Sequence, residues 1–92
     1  MEFEWDARKA ARNLATHGVS FQEAATVFGD RLAITYFDPD HSDAEDRFLT
    51  FGHTSAGQLI VVSHADREER TRIISARPVT RRERKTYEEG IS

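Results

Sequence analysis

The chain has 92 residues and no cysteine, which excludes disulfides, thiolate chemistry and zinc–thiolate sites. Its composition, 38% hydrophobic and 32% charged, predicts a single folded domain over residues 1–92. The longest apolar run is Leu59–Val62 and the amino terminus has no apolar signal core, so we expect no membrane span and a cytoplasmic location.

The first third of the chain predicts a strand followed by two helices. Phe3 and Trp5 alternate with glutamates, which is the period of a half-buried strand. Asp6 is placed to cap an alanine-rich helix that Gly18 ends. A capping box, Ser20 with a glutamate three residues later, predicts a second helix that ends at residues 29–30.

After this point the hydrophobic period changes to two, which is typical of strands. We expect strands over residues 31–37, 47–53, 58–64 and 70–77, joined by a polar loop and two short turns. Short connections predict antiparallel pairing. A second capping box, Thr80 with Glu83, opens a last helix that runs to about Glu89. The predicted order is β-α-α-β-β-β-β-α, a small antiparallel sheet flanked by helices in the α+β class.

Positive charge is concentrated in residues 70–85. This segment holds seven of the thirteen basic residues and a single acidic residue, so its net charge is +6 in a chain of −3. A local positive potential attracts polyanions such as nucleic acids. A solvated charged face is the alternative interpretation. The arginines alternate with apolar residues as in a folded strand, which favours an anion site.

Strict alternation assigns the side chains of this strand to two faces. Arg72 would lie on one face and Arg77 on the other, so that one guanidinium is beside a packed surface whichever face meets the helices. Arg81 and Arg82 would follow in the first turn of the last helix, where free backbone N–H groups also favour a phosphate.

Two further side chains are candidates for chemistry. His64 ends a predicted strand beside the arginine strand, and imidazole titrates near pH ~6.5, which suits general acid–base catalysis. A structural hydrogen bond is the alternative for His64. His17 is explained by its position at a helix C-terminus. Tyr87 either packs on the sheet or presents its hydroxyl beside the arginines.

The acidic loop DPDHSDAED resembles a calcium-binding loop only at its start. Asp38, Asp40 and Ser42 match the first three ligand positions, but Asp43 stands where glycine is required and Leu49 where glutamate is required. We therefore expect no metal and no cofactor.

Three segments of the sequence resemble the BrnT family of type II toxin–antitoxin systems, over residues 3–90. They are FEWDARKAARNLATHGVSFQEAATVFGD, the DPDHS loop and RIISARPVTRRERKTYEEG. The family motifs W-D-x-x-K-x-x-x-N-x-x-K/R-H-G-V-S/T-F and R-I-I-S-A-R are both present. Two positions depart from the pattern: Thr16 replaces a usual lysine or arginine, and Pro78 replaces a small or basic residue.

The resemblance implies a RelE-like ribonuclease toxin that inhibits translation by cutting RNA. It implies a hetero-oligomer with a BrnA-like antitoxin, whose ribbon-helix-helix domain would provide the only contact with DNA. Because the 2′-hydroxyl of RNA can attack the adjacent phosphate, such a toxin requires no metal.

On this basis we expect His64 to transfer the proton and Arg72 and Arg77 to stabilise charge on the phosphate. Lys9 and Tyr87 are further catalytic candidates. The expected RNA-backbone contacts are Arg70, Arg81, Arg82 and Lys85. The alternative function is a non-catalytic module that binds nucleic acid or an acidic antitoxin through residues 70–85, and such a module would not need His64.

Overall fold

The computed structural model describes residues 1–91 and has the predicted element order. Its strands are β1 (Glu2–Glu4), β2 (Ile34–Phe37), β3 (Arg47–His53), β4 (Leu59–Arg67) and β5 (Arg70–Pro78). Its helices are α1 (Ala7–His17), α2 (Phe21–Ala25) and α3 (Arg81–Ile91), with single 3₁₀ turns at Thr26–Gly29 and Pro39–His41. The α+β prediction is confirmed.

The helix ends follow the capping signals in the sequence. The Asp6 carboxylate accepts hydrogen bonds from the backbone N–H groups of Arg8 and Lys9, at 2.9 and 3.0 Å. Gly18 ends α1 with φ of +72°, a conformation that glycine adopts without steric cost. The Ser20 hydroxyl accepts from the Glu23 N–H at 3.0 Å. These caps fix where α1 begins and ends and where α2 begins.

The five strands form one mixed sheet in the order β1-β5-β4-β3-β2. Strands β2 to β5 pair antiparallel, as their short connections predicted. The edge strand β1 instead pairs parallel to β5, over Glu2–Glu4 and Arg70–Arg72. Because most of the chain separates these two strands, no hairpin constrains their relative direction.

The hydrophobic core lies between one face of this sheet and helices α1 and α2. Each member of the core is at most 1% exposed: Val19, Phe21, Ala24, Val27, Ile60, Val62, Ile73 and Ala76. Helix α3 lies on the opposite face, where the Tyr87 hydroxyl donates to the Leu32 carbonyl at 3.2 Å. Within residues 1–91, no helix is long and apolar enough to cross a bilayer.

A β-bulge in β5 changes which side chains share a face. Ser63 pairs with Ser75 and His64 pairs with Ile73, so Ile74 has no partner on β4. The extra residue moves Arg77 to the same face as Arg72, opposite the helix-packed core. The prediction of one arginine on each face is therefore wrong, because strict alternation does not hold across a bulge.

Several element boundaries also differ from the sequence prediction. α2 ends at Ala25 rather than at residues 29–30, and a 3₁₀ turn continues from it to Gly29. β2 begins at Ile34 rather than residue 31, because residues 31 and 32 form a turn. β4 continues past His64 to Arg67, so His64 is not at a strand end. α3 continues through Gly90 to Ile91. A glycine inside a helix costs only ~1 kcal/mol, which does not force the helix to end.

Candidate functional site

The face of the sheet that carries α3 has an open half near the start of β3. By register, Arg47, Ala65 and Arg72 lie side by side across three strands of this half. Ser63 and Ser75 form the next row. We call this surface the arginine face; its members are Arg47, Arg72, Arg77, Ser63 and Ser75. Its members are half-buried or exposed, and solvent or a ligand reaches them from one side.

Arg77 is held in place by α3. Its guanidinium donates to both carboxylate oxygens of Glu83, at 2.8 and 2.9 Å. Glu83 also completes the Thr80 capping box, with reciprocal backbone bonds of 2.9 and 3.1 Å. These hydrogen bonds, those from Arg77 first, lower the pKa of Glu83 to about 2. The charge of Arg77 is therefore already neutralised by an ion pair, while its position is fixed.

Arg70 is also paired, which the sequence could not show. β1 brings Glu2 and Glu4 beside it, with N–O distances of 3.8 and 4.0 Å, and Glu4 also lies 3.7 Å from Arg67. Arg72, by contrast, has no ion pair or side-chain hydrogen bond within residues 1–91. The fold thus divides the +6 segment into two paired arginines, Arg70 and Arg77, and five cations that have no ion pair within residues 1–91.

Arg47 contributes a second free guanidinium, and it was not predicted from the sequence. Its Nε is buried and has no hydrogen-bond partner in the described chain. Arg47 also borders a surface cavity lined by Asp40, Asp43 and Glu45 of the acidic loop. Nearby carboxylates reduce the positive potential at Arg47, so Arg72 is the stronger anion-binding group of the two.

The acidic loop is organised by its own hydrogen bonds. The Asp38 carboxylate accepts from the Asp40 N–H at 3.2 Å and contacts Nδ1 of His41 at 2.9 Å. Ser42 Oγ accepts from the Arg47 N–H at 3.0 Å. Among the 91 described residues, no three His, Cys, Asp or Glu side chains are grouped as metal ligands would be.

His64 lies on the core side of the sheet, away from the arginine face. It is 4% exposed, its Nε2 is hydrogen-bonded to Thr50 Oγ1 at 2.7 Å, and its ring lies between Phe28 and Phe48, with centroids at 4.9 and 5.9 Å. Burial lowers the pKa of His64 and thus favours the neutral imidazole. The structure therefore does not bring His64 to the surface that carries Arg72 and Arg77, because alternation along β4 directs His64 towards the helices.

The other predicted residues are also separated from the arginine face. Tyr87 is 3% exposed, and burial raises the pKa of its phenol. Lys9 lies on α1, across the sheet. The exposed cations of α3 are the predicted Arg81, Arg82 and Lys85, together with Arg84.

A second basic surface is formed where α1 packs beside β5. Lys9, Arg12 and His17 line a solvent-open groove of about 220 Å³, with the bulged residue Ile74 as an apolar wall. Asn13 and Thr16 complete the lining. We call this the α1 groove. It brings together an exposed imidazole, which can transfer a proton, and two cations, which can stabilise charge on a phosphodiester.

The α1 groove could have been recognised from helical spacing. Lys9, Arg12, Asn13 and Thr16 are separated by three, one and three positions, so they form one stripe along α1. Assigning His17 only to the helix C-terminus concealed this. What spacing could not reveal is that the stripe lies beside the bulge in β5.

Comparisons with known proteins give one family match and one structural match. A family model described as ribonuclease toxin, BrnT, of type II toxin-antitoxin system matches residues 5–83. The structure is similar to the crystal structure of the Brucella abortus ribonuclease toxin BrnT, with a TM-score of 0.64 and 24% identity over 88% of this chain and 99% of that chain. That likeness shows a shared fold. Among curated proteins there is no match.

Proposed function

This chain belongs to the BrnT family of ribonuclease toxins from type II toxin–antitoxin systems, and we propose that it is an endoribonuclease that cuts RNA in the α1 groove. The observation that carries this proposal is the grouping of His17 with Lys9 and Arg12 around one open groove. In our proposal His17 replaces His64 as the proton-transfer group, since RNA can reach His17 without unfolding the core.

The proposed reaction uses the 2′-hydroxyl of the substrate as nucleophile and needs no metal ion. The His17 imidazole takes the 2′-hydroxyl proton as the 2′-oxygen bonds to phosphorus. The bond from phosphorus to the 5′-oxygen breaks, that oxygen takes a proton from water, and the resulting hydroxide takes the proton that His17 holds. The products are a 2′,3′-cyclic phosphate and a 5′-hydroxyl, and His17 is regenerated. Lys9 and Arg12 stabilise the additional negative charge on the phosphorane.

We assign the arginine face and α3 to binding the RNA backbone. Arg72 has an unpaired guanidinium, and Arg81, Arg82 and Lys85 are exposed cations on α3. Arg77 and Arg70 contribute less to RNA binding, because each already has an ion pair. Glu83 pairs with Arg77, and Glu2 and Glu4 pair with Arg70. Arg72 lies on one face of β5 and Ile74 of the same strand borders the α1 groove, so we expect RNA to contact both around this side of the sheet.

Cutting RNA in this way would inhibit translation. We further propose that the antitoxin is BrnA-like, carries a ribbon-helix-helix domain that binds DNA, and forms a hetero-oligomer with this chain. Partial burial of residues 70–82 by the antitoxin would block access of RNA to the free cations.

The test is to compare cleavage and binding of one RNA by His17→Asn, Lys9→Gln and Arg12→Gln. For His17→Asn we expect cleavage to fall ~10²–10⁴-fold with little change in affinity, because proton transfer matters only in the transition state. For Lys9→Gln and Arg12→Gln we expect both the cleavage rate and the RNA affinity to fall, because charge acts on ground and transition states alike.

The matched control is Arg8→Gln, which removes an exposed arginine of the same helix that does not line the groove. Unchanged cleavage by folded His17→Asn would reject the groove as the catalytic site. If the parent binds RNA in a salt-dependent way and never cuts it, the chain is a binding module, the alternative function considered above.

A further inference from the structure

Within residues 1–91, the edge strand β2 has no partner strand on its outer side. In this part of the chain it pairs with β3 alone, and the Asp38 N–H donates to the Arg47 carbonyl at 2.8 Å just beyond its end. Because antiparallel pairing alternates, Ile34 and Tyr36 direct their backbone groups towards β3, and Thr35 and Phe37 direct theirs outward. An extended chain could add to this edge as a sixth strand.

Large apolar side chains surround this open edge on both faces of the sheet. Tyr36 is 47% exposed on the face that carries α3, and Phe37 is 52% exposed on the other. Next to Tyr36, a cavity of about 180 Å³ opens between β2, β3 and α3, lined by Phe51, Thr86 and Tyr87. A cavity of this size accommodates one bulky apolar side chain of an added strand.

The charges beside the cavity favour an acidic partner. Arg82 lines the cavity, and Arg31 precedes β2; both are exposed and neither has an ion pair within residues 1–91. Glu83, the one carboxylate in the lining, is already bound by Arg77. Among the residues that line the cavity, the free charge is therefore positive, whereas the acidic loop lies beyond the other end of β2.

We propose that β2 and the adjacent cavity are the docking site of an extended, acidic segment of the antitoxin, which pairs with β2 and places one bulky apolar side chain in the cavity. The proposal rests on the membership of a type II toxin–antitoxin family, and does not depend on where RNA is cut.

Two other occupants fit less well. A nucleobase needs hydrogen-bond partners for its edges, whereas the cavity walls are mostly aromatic and methyl groups. A second copy joined through a four-residue strand would bury far less than the ~1,000 Å² of a stable interface.

The test uses the complete chain with the antitoxin that accompanies it. Phe37→Pro removes one outward N–H and one apolar side chain while leaving the bonds to β3 intact. Phe37→Ala removes only the side chain. We expect Phe37→Pro to weaken antitoxin binding at least tenfold, and Phe37→Ala to weaken it by a smaller factor. RNA cleavage by free Phe37→Pro should match the parent.

Amide hydrogen exchange provides a direct readout that does not require cleavage. In the free chain the amides of Thr35 and Phe37 should exchange fast, and those of Ile34 and Tyr36 should exchange slowly. Binding of the antitoxin should slow exchange at Thr35 and Phe37. Unchanged exchange at Thr35 and Phe37 in the complex would overturn the proposal. Weaker RNA binding by Tyr36→Ser with normal antitoxin binding would also overturn the proposal, because this result indicates a nucleobase pocket. Self-association of the free chain through β2 would overturn it as well. If the parent does not cut RNA, the proposed ribonuclease function fails. The exchange result still decides whether the antitoxin docks on β2.

Discussion

The side chain of Asn13 pairs with the backbone of Ala76 as a neighbouring strand would. Its amide nitrogen donates to the Ala76 carbonyl at 2.7 Å, and its carbonyl oxygen accepts from the Ala76 N–H at 3.1 Å. β1 ends at Glu4, opposite Arg72, so the outer edge of β5 has no strand beside it at Ala76. Asn13 satisfies these backbone groups and fixes α1, with the groove it carries, against the bulged part of β5.

We predict that Asn13→Ala lowers the free energy of unfolding by ~2–4 kcal/mol. The substitution leaves both backbone groups of Ala76 unpaired, and also the Val19 carbonyl that accepts from Asn13 at 2.9 Å. Urea unfolding of the variant and of the exposed control Arg8→Ala measures the difference. A loss no larger than that of Arg8→Ala would show that this pairing contributes little to stability.

The Arg77–Glu83 pair should make the chain less stable in acid. Because the pKa of Glu83 is lowered from 4.5 to about 2, its contribution is complete above pH 4.5 and is lost as the pH falls towards 2. Since solvent reaches both side chains, we expect a loss of only ~1–2 kcal/mol. Glu83→Gln should remove this pH dependence, as judged from unfolding midpoints between pH 5 and 2.5.

His64 should produce a separate pH dependence nearer neutrality. Burial lowers its pKa below 6.5, so the folded state favours the neutral ring, and stability should fall as the pH drops below about 6.5. His64→Gln cannot titrate and should remove this component. Thermal unfolding from pH 7.5 to 5 measures it, and an unchanged profile in His64→Gln would contradict the assignment.

The same variant separates the two catalytic hypotheses. If His64 transfers the proton, folded His64→Gln should cut RNA ~10²–10⁴-fold more slowly than the parent. From its burial against Thr50 and Phe28 we expect cleavage near that of the parent. Single-turnover cleavage at pH 7.5, where both proteins are folded, decides between His64 and His17.

RNA cleavage should continue after chelation of divalent metals. The nucleophile in the proposed reaction is the 2′-hydroxyl and the charge stabilisers are side chains, so EDTA should leave the rate unchanged. A matched substrate with deoxyribose at the cleavage position should not be cut. Loss of activity in EDTA that magnesium or manganese restores would reject the proposed chemistry.

Local signals in the sequence predicted most of the fold. The caps at Asp6, Ser20 and Thr80, the change of period after α2 and the short turns give the element order, because each depends on residues a few positions apart. Strand boundaries and the direction of β1 were less well predicted, since these depend on contacts between distant segments. Gly90 shows the limit of local signals: a glycine typical of a helix end lies inside α3.

The candidate site was harder to predict, because it depends on which side chains the fold brings together. The sequence by itself determined that the chain has an excess of arginine near its end, no cysteine and the motifs of its family. Only the tertiary structure decided the distribution of that charge: the bulge at Ile74 places Arg72 and Arg77 on one face, β1 neutralises Arg70, and packing buries His64. The physical reason is that pairing and burial depend on register across strands, and one inserted residue reverses every side chain beyond it.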